Sequence, residues 1–207
     1  MMMISNVFLT HSASNPTDLM ILDIVKYGNP VLRQKGERVE SITSEITKLI
    51  EDMLETMRSA HGIGLAAQQI GRTLQLATVD VTGVEDRPSR MEINTKKVDP
   101  EDHMPLILLN PEWTAVGEST ETGPEGCLSF PEVYGDINRP EEIDVKAMNE
   151  KGEEIKFRCG GLLSRAIQHE YDHLHGILFI DRMDGLIRSG LKSDIDIIQA
   201  ETKKSLG

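Results

Sequence analysis

With 207 residues, 39% of them hydrophobic and 27% charged, the chain has the balance of one ordinary globular domain, not of a disordered segment. Its net charge of −12 argues against a stable grip on nucleic-acid phosphates, which needs clustered Lys and Arg, but leaves room for a passing visit to a ribonucleoprotein surface. No apolar run reaches the ~18 residues of a membrane span, and the two cysteines, Cys127 and Cys159, suit reduced thiols in a cytoplasmic setting better than a disulfide framework.

Residues 1–19 are Ser/Thr/Asn-rich, without an apolar period and without Lys or Arg. They fit neither a secretory signal nor a transit peptide. A flexible, dispensable leader is expected there, with a single catalytic domain over 20–207. From Ser44 to Arg58, residues Ile46, Leu49, Ile50, Met53, Leu54 and Met57 recur at helical spacing behind Thr43 or Ser44 as N-cap, which predicts the first helix. Gly62 and Gly64 end it and open a tight loop, GIGLAAQQIG at 62–71. Its small uncharged residues describe either backbone brought close to something or a connection packed on the core. Leu74–Asp80 and Leu106–Asn110 read as strands, and the polar, aperiodic stretch Thr82–Pro105 between them reads as a long exposed loop.

Ile143–Met148 and Glu154–Cys159 alternate around Asn149-Glu150-Lys151-Gly152, which predicts a β-hairpin. A second helix runs from about Leu162 to His175 and closes on Gly176. Ile177–Ile180 reads as a last short strand, and Leu191–Lys204 as a charged C-terminal helix. Strand runs bracketed by helices make the class α+β. Antiparallel or mixed sheets are expected to pack around the second helix, with one helix near each end of the domain.

The second helix contains His169-Glu170-x-x-His173. Positions i and i+4 stack on one helix face, so both imidazoles can reach one ion while the glutamate stays beside it. On a helical wheel Leu162, Leu163, Ala166, Ile167 and Leu174 share that face, whereas Ser164, Arg165, Gln168, Tyr171, Asp172 and His175 fall on the other side. Two histidines and a glutamate on a buried face are costly unless satisfied. A metal ion would satisfy them, and so would core hydrogen bonds with Glu170 paired to a base. A zinc or iron site needs a third protein ligand. Cys127, in EGCLSFP, is the candidate: Gly126 before it permits close backbone approach, and Pro131 after it is expected to stop regular structure. The plainer alternative is an inert buried thiol, which is the reading kept for Cys159.

GIGLAAQQ at 62–69, EGCLS at 125–129 and QHEYDH at 168–173 resemble, in this order, the three motifs of the peptide deformylases. The similarity runs on through KYGNPVLRQKGERV and GILFIDRM, covering roughly Ile21 to Met183. The resemblance implies Cys127, His169 and His173 as metal ligands and Glu170 as general acid/base. It implies the Gln69 side-chain amide and the Leu128 N–H as oxyanion donors, Gly64 as the residue leaving room for a formyl hydrogen, and a Glu125–Arg139 pair behind the cysteine. Ile63, Leu162 and Ala166, with His169 nearby, would take a methionine side chain. Gln68 stands where proline is common, and Tyr134 and Arg165 stand at variable positions.

The implied reaction is hydrolysis of the N-formyl group of formylmethionyl nascent peptides to formate and a free amino terminus. The implied cofactor is one divalent ion, Fe2+ in the cell, with Zn2+, Ni2+ or Co2+ able to substitute. The implied setting is a cytoplasmic monomer that meets the ribosome transiently, binds no nucleic acid stably and touches no membrane. Two other readings compete. A zincin-type endopeptidase would need a third His or Glu downstream of the helix. A non-enzymatic binding module of the same fold would be signalled by loss of Glu170 or Gln69, and both are present.

Overall fold

Helix α1 (Ser44–Ser59) begins where Thr43 accepts a hydrogen bond from the Ile46 N–H at 3.3 Å, and it turns Ile50, Met53 and Met57 into the interior. The computed structural model describes residues 19–207. The leader expected over 1–19 therefore lies, except for Leu19, outside the described residues.

Seven strands form one antiparallel sheet: β1 (Gly64–Ala66), β2 (Leu76–Val79), β3 (Ser89–Ile93), β4 (Lys96–Val98), β5 (Leu106–Ala115), β8 (Glu142–Met148) and β9 (Glu154–Gly161). Their order is β1-β2-β5-β8-β9-β3-β4. Between β5 and β8 the chain leaves the sheet as a separate two-stranded ribbon, β6 (Thr120–Cys127) with β7 (Phe130–Pro140). Helix α2 (Leu162–Leu174) follows β9 directly. The short α3 (Gly185–Gly190) and the C-terminal α4 (Lys192–Leu206) complete the chain.

Side chains alternate across a strand, so the apolar runs of β2 and β5 can serve two cores at once. Leu76, Ile107 and Leu109 meet α1, whereas Val79, Leu106 and Leu108 meet Leu162, Leu163, Ala166 and Ile167 of α2. Helix α2 is thus held between the sheet and the β6–β7 ribbon. Its apolar face packs on the sheet, and the ribbon covers its other face. Four of the six residues that a helical wheel sets on that second side are buried as well: Ser164, Arg165, Gln168 and Asp172 are each under 5% exposed, while Tyr171 and His175 are half-buried.

Residues 82–105 are not a structureless loop. They form the β3–β4 hairpin and a 3-10 turn at Pro100–His103, and they extend the sheet beyond β9. The hairpin turns on Asn94 and Thr95, both with positive φ, the conformation of the tight turns that suit a twisted ribbon. Met91 is its one fully buried residue in the main core, with Ile93 and Val98 partly buried against it, apolar content too sparse to announce a strand. The short strand expected at Ile177–Ile180 is instead a 3-10 turn, Phe179–Asp181, in which the Asp181 carboxylate accepts from the Leu178 N–H. Short buried apolar runs fit either form. Gly64 opens β1 instead of a loop.

Pro131, expected to stop regular structure, stands inside β7. The register passes from Gly126 opposite Tyr134 to Cys127 opposite Phe130, so no ladder partner falls on Pro131 and no hydrogen bond is missed there. Gly126 does permit a close approach: a Cβ added to it would lie 2.6 Å from the Tyr134 ring.

Candidate metal centre

Three segments converge at one end of a cleft of about 510 Å³. Helix α2 contributes His169, Glu170 and His173. The last residue of β6 is Cys127. The chain from β1 into the 3-10 turn Ala67–Ile70 contributes Gly64 and Gln69. The potential ligand atoms of Cys127, His169 and His173 all lie within 4.8 Å of one another. Cys127 Sγ is 3.3 Å from His173 Nε2. Sulfur and nitrogen bound to one tetrahedral ion at ordinary bond lengths sit about 3.6 Å apart. One thiolate and two imidazoles at this spacing are a donor set that fits a first-row divalent ion.

The outer contacts orient these groups. His169 Nδ1 is 2.9 Å from Glu125 Oε2, which leaves its Nε2 to face the cluster. Glu125 also accepts two bonds from Arg139, at 2.8 and 2.9 Å, and one from Arg165 at 3.0 Å. Arg139 reaches on to Asp172 at 2.6 Å, and Arg182 closes that carboxylate from the surface side at 2.7 Å. Burial pushes the Glu125 carboxyl up, but the Arg139 and His169 contacts outweigh it and hold Glu125 well below the usual carboxylate range. Two buried carboxylates thus meet two buried guanidinium groups, and charge balance lets the network stay dry. The Glu125–Arg139 pair was expected. The shares of Arg165, Asp172 and Arg182 were not: a wheel sets Arg165 and Asp172 apart from the apolar face but cannot see a ribbon folding over them, and Arg182 lies beyond the helix.

Gln69 is fixed by its own neighbour. The Ala66 N–H can only donate, and its 2.8 Å bond to Gln69 Oε1 turns the amide nitrogen toward Cys127, 3.5 Å from Sγ. Burial pushes His173 well below the ordinary histidine value, which suits a neutral imidazole with a lone pair to give. Burial likewise raises the Glu170 carboxyl to about 7, and its Oε2 finds no hydrogen-bond partner among the described residues. The other oxygen is pressed against bare backbone, since a Cβ added at Gly64 would lie 2.2 Å from Oε1. Gly64→Ala is therefore expected to displace Glu170 and cut kcat/KM by about 10²-fold while metal content stays at the parent level. Steady-state rates beside metal analysis check this, and parental kcat/KM would show that the approach is not needed.

The cleft wall also includes Ile63, Leu162, Ala166 and Tyr134, and Arg87, just before β3, joins it. Cys159 is not among the clustered ligand atoms. It is buried in the main core, and burial pushes its thiol above the ordinary cysteine value.

Residues 21–189 match the family model described as polypeptide deformylase. A peptide deformylase of Opitutus terrae is 44% identical over 185 residues, 89% of this chain and 96% of that protein. One from Methylacidiphilum infernorum is 44% identical over 180 residues, covering 87% and 94% of the two chains. Among solved structures, a peptide deformylase of Arabidopsis thaliana in complex with an inhibitor superposes with a TM-score of 0.77 at 29% identity, over 89% of this chain and 93% of that one. The peptide deformylase of Synechococcus elongatus in complex with actinonin superposes with a TM-score of 0.71 at 38% identity, over 87% and 89%.

Proposed function

This chain belongs to the polypeptide deformylase family; it is a metal-dependent hydrolase that removes the N-formyl group from the N-terminal methionine of nascent chains, and we propose that Cys127, His169 and His173 hold its metal while Glu170 carries the proton. One observation supports the assignment above the rest. Glu170, buried and raised to about 7, sits one residue from His169 with a carboxylate oxygen that no other described group satisfies.

When bound, a divalent ion supplies Lewis acidity that makes water acidic enough to attack near neutral pH. Glu170 accepts the proton of the attacking water as the new C–O bond forms at the formyl carbon. It then delivers that proton to the amine nitrogen as the C–N bond breaks, giving formate and a free amino terminus. Negative charge that builds on the formyl oxygen meets the Gln69 side-chain amide and the Leu128 N–H. Gly64, held against Glu170, leaves space for a hydrogen on the acyl carbon and little for a methyl group. Ile63, Leu162 and Ala166, beside His169 on the cleft wall, suit the unbranched methionine side chain.

Residues 20–207 form the catalytic unit in this reading, and the family match from residue 21 supports that boundary. Its partners are formylmethionyl nascent chains, met at the ribosome transiently by a cytoplasmic monomer. No helix among the described residues is long and apolar enough to cross a membrane.

We assign ferrous iron as the working ion. Affinity order alone favours zinc over ferrous iron at such a donor set; ferrous iron held by Cys127, His169 and His173 would supply the Lewis acidity with a more adaptable coordination shell. Ferrous iron on a thiolate is open to oxidation. The stripped protein reloaded with Fe2+ is expected to be fast under nitrogen and to fade in air. Ni2+ or Co2+ should give a stable, active enzyme, and Zn2+ a stable, sluggish one. Formate release from formyl-Met-Ala-Ser for each reloaded form, with and without oxygen, tests this. Equal rates for zinc and iron, with an air-stable iron form, would make zinc the native ion.

A further inference from the structure

One short stretch of chain before α1 reaches both groups assigned to the developing oxyanion. The Val25 N–H donates to the Gln69 carbonyl at 2.8 Å, and the Tyr27 N–H donates to the Ser129 carbonyl at 2.9 Å. Between them, Lys26 extends its side chain along the cleft wall and donates from Nζ to the Leu128 carbonyl at 2.7 Å. Leu128 and Ser129 are the two residues that turn β6 into β7, directly after Cys127.

That turn is not of the kind that holds itself. The favoured two-residue hairpin turns use positive φ at one or both central residues, and neither Leu128 nor Ser129 has it. Two contacts reach the turn from outside the ribbon, the Tyr27 N–H on the Ser129 carbonyl and Lys26 on the Leu128 carbonyl, and the second is charge-assisted. The ordinary role of a lysine is to solvate a surface, but this one is part-buried with its ammonium on a carbonyl. Burial pushes that ammonium down, and the charge of Cys127 acts in the opposite direction.

We propose that Lys26 is a positioning residue for deformylation: by holding the Leu128 carbonyl it fixes the turn that aims the Leu128 N–H at the formyl oxygen. This rests on the assignment of Leu128 as an oxyanion donor. An interaction that matters mainly as charge develops appears in kcat and leaves KM nearly unchanged.

The test compares the metal-loaded parent with Lys26→Met and Lys26→Arg. It measures steady-state kinetics on formyl-Met-Ala-Ser, metal content, and amide hydrogen exchange at Leu128, Ser129 and Phe130. Lys26→Met should lower kcat about tenfold with KM within about twofold, since one oxyanion donor is misaimed and not removed. Its exchange should quicken at the turn and not in α1, its metal content should match the parent, and Lys26→Arg should recover most of the rate. Parental kcat in Lys26→Met, a loss confined to KM, or an arginine variant as slow as the methionine one would each overturn the proposal. Lys26→Gln reads the same split if the methionine variant does not fold. A loaded parent that releases no formate would count against the deformylase reading itself, and the exchange measurement would still decide whether Lys26 holds the turn.

Discussion

Glu170→Gln is expected to bind one metal ion per chain as the parent does, yet to turn over about 10² to 10⁴ times more slowly, the contribution typical of a positioned acid–base group. The substitution keeps size and shape in a site where Glu170 is only 4% exposed and one oxygen packs on Gly64. What it removes is the capacity to take and return a proton. An ordinary glutamate is too weak a base for this near neutral pH, and burial raises Glu170 to about 7, where both protonation states are accessible. The loss corresponds to about 3 to 5 kcal/mol of barrier. Metal analysis and initial rates on one preparation decide the matter. A fully loaded variant working at the parental rate would remove Glu170 from the mechanism.

His173→Ala should fail differently, by losing the metal itself. His173 is 1% exposed, and its Nε2 lies 3.3 Å from Cys127 Sγ. Its truncation would leave two of the three proposed protein ligands and a cavity. Because ion binding to the folded state adds to folding free energy, the parent should melt lower after chelation. Occupancy at a thousand times Kd is worth about 4 kcal/mol. The variant should elute from gel filtration without metal, release no formate, and show a melting temperature that a chelator no longer moves. Retention of a stoichiometric ion by the variant would exclude His173 as a ligand.

Much of this architecture is legible in the sequence. The period of Ile50, Met53 and Met57 behind Thr43 predicts α1, and the alternation around Asn149–Gly152 predicts β8 and β9, because local pattern and tertiary burial agree there. The pair His169 and His173 was legible for the same reason, since i, i+4 spacing is a property of the helix alone. Cys127 lies more than forty residues away, and without the family resemblance nothing local separated it from a buried thiol. The β6–β7 ribbon carries no plain strand signal because Gly123, Pro124, Gly126 and Pro131 interrupt any apolar alternation. That ribbon buries Arg165, Gln168 and Asp172, which a wheel can separate from the apolar face of α2 without showing what covers them. Lys26 carried no signal at all, since its role depends on a carbonyl brought to it from a distant turn.

In the proposed reading, one metal ion at Cys127, His169 and His173 makes this chain a deformylase. Titrating ferrous iron into the stripped protein under nitrogen, while formate release from formyl-Met-Ala-Ser is followed, tests it most directly. Activity should start near zero, rise linearly with added iron, and break at one equivalent per chain, with one free amino terminus formed per formate and no internal peptide bond cut. Activity in the stripped protein, a break at two equivalents, cleavage within the peptide, or no formate at any loading would contradict it.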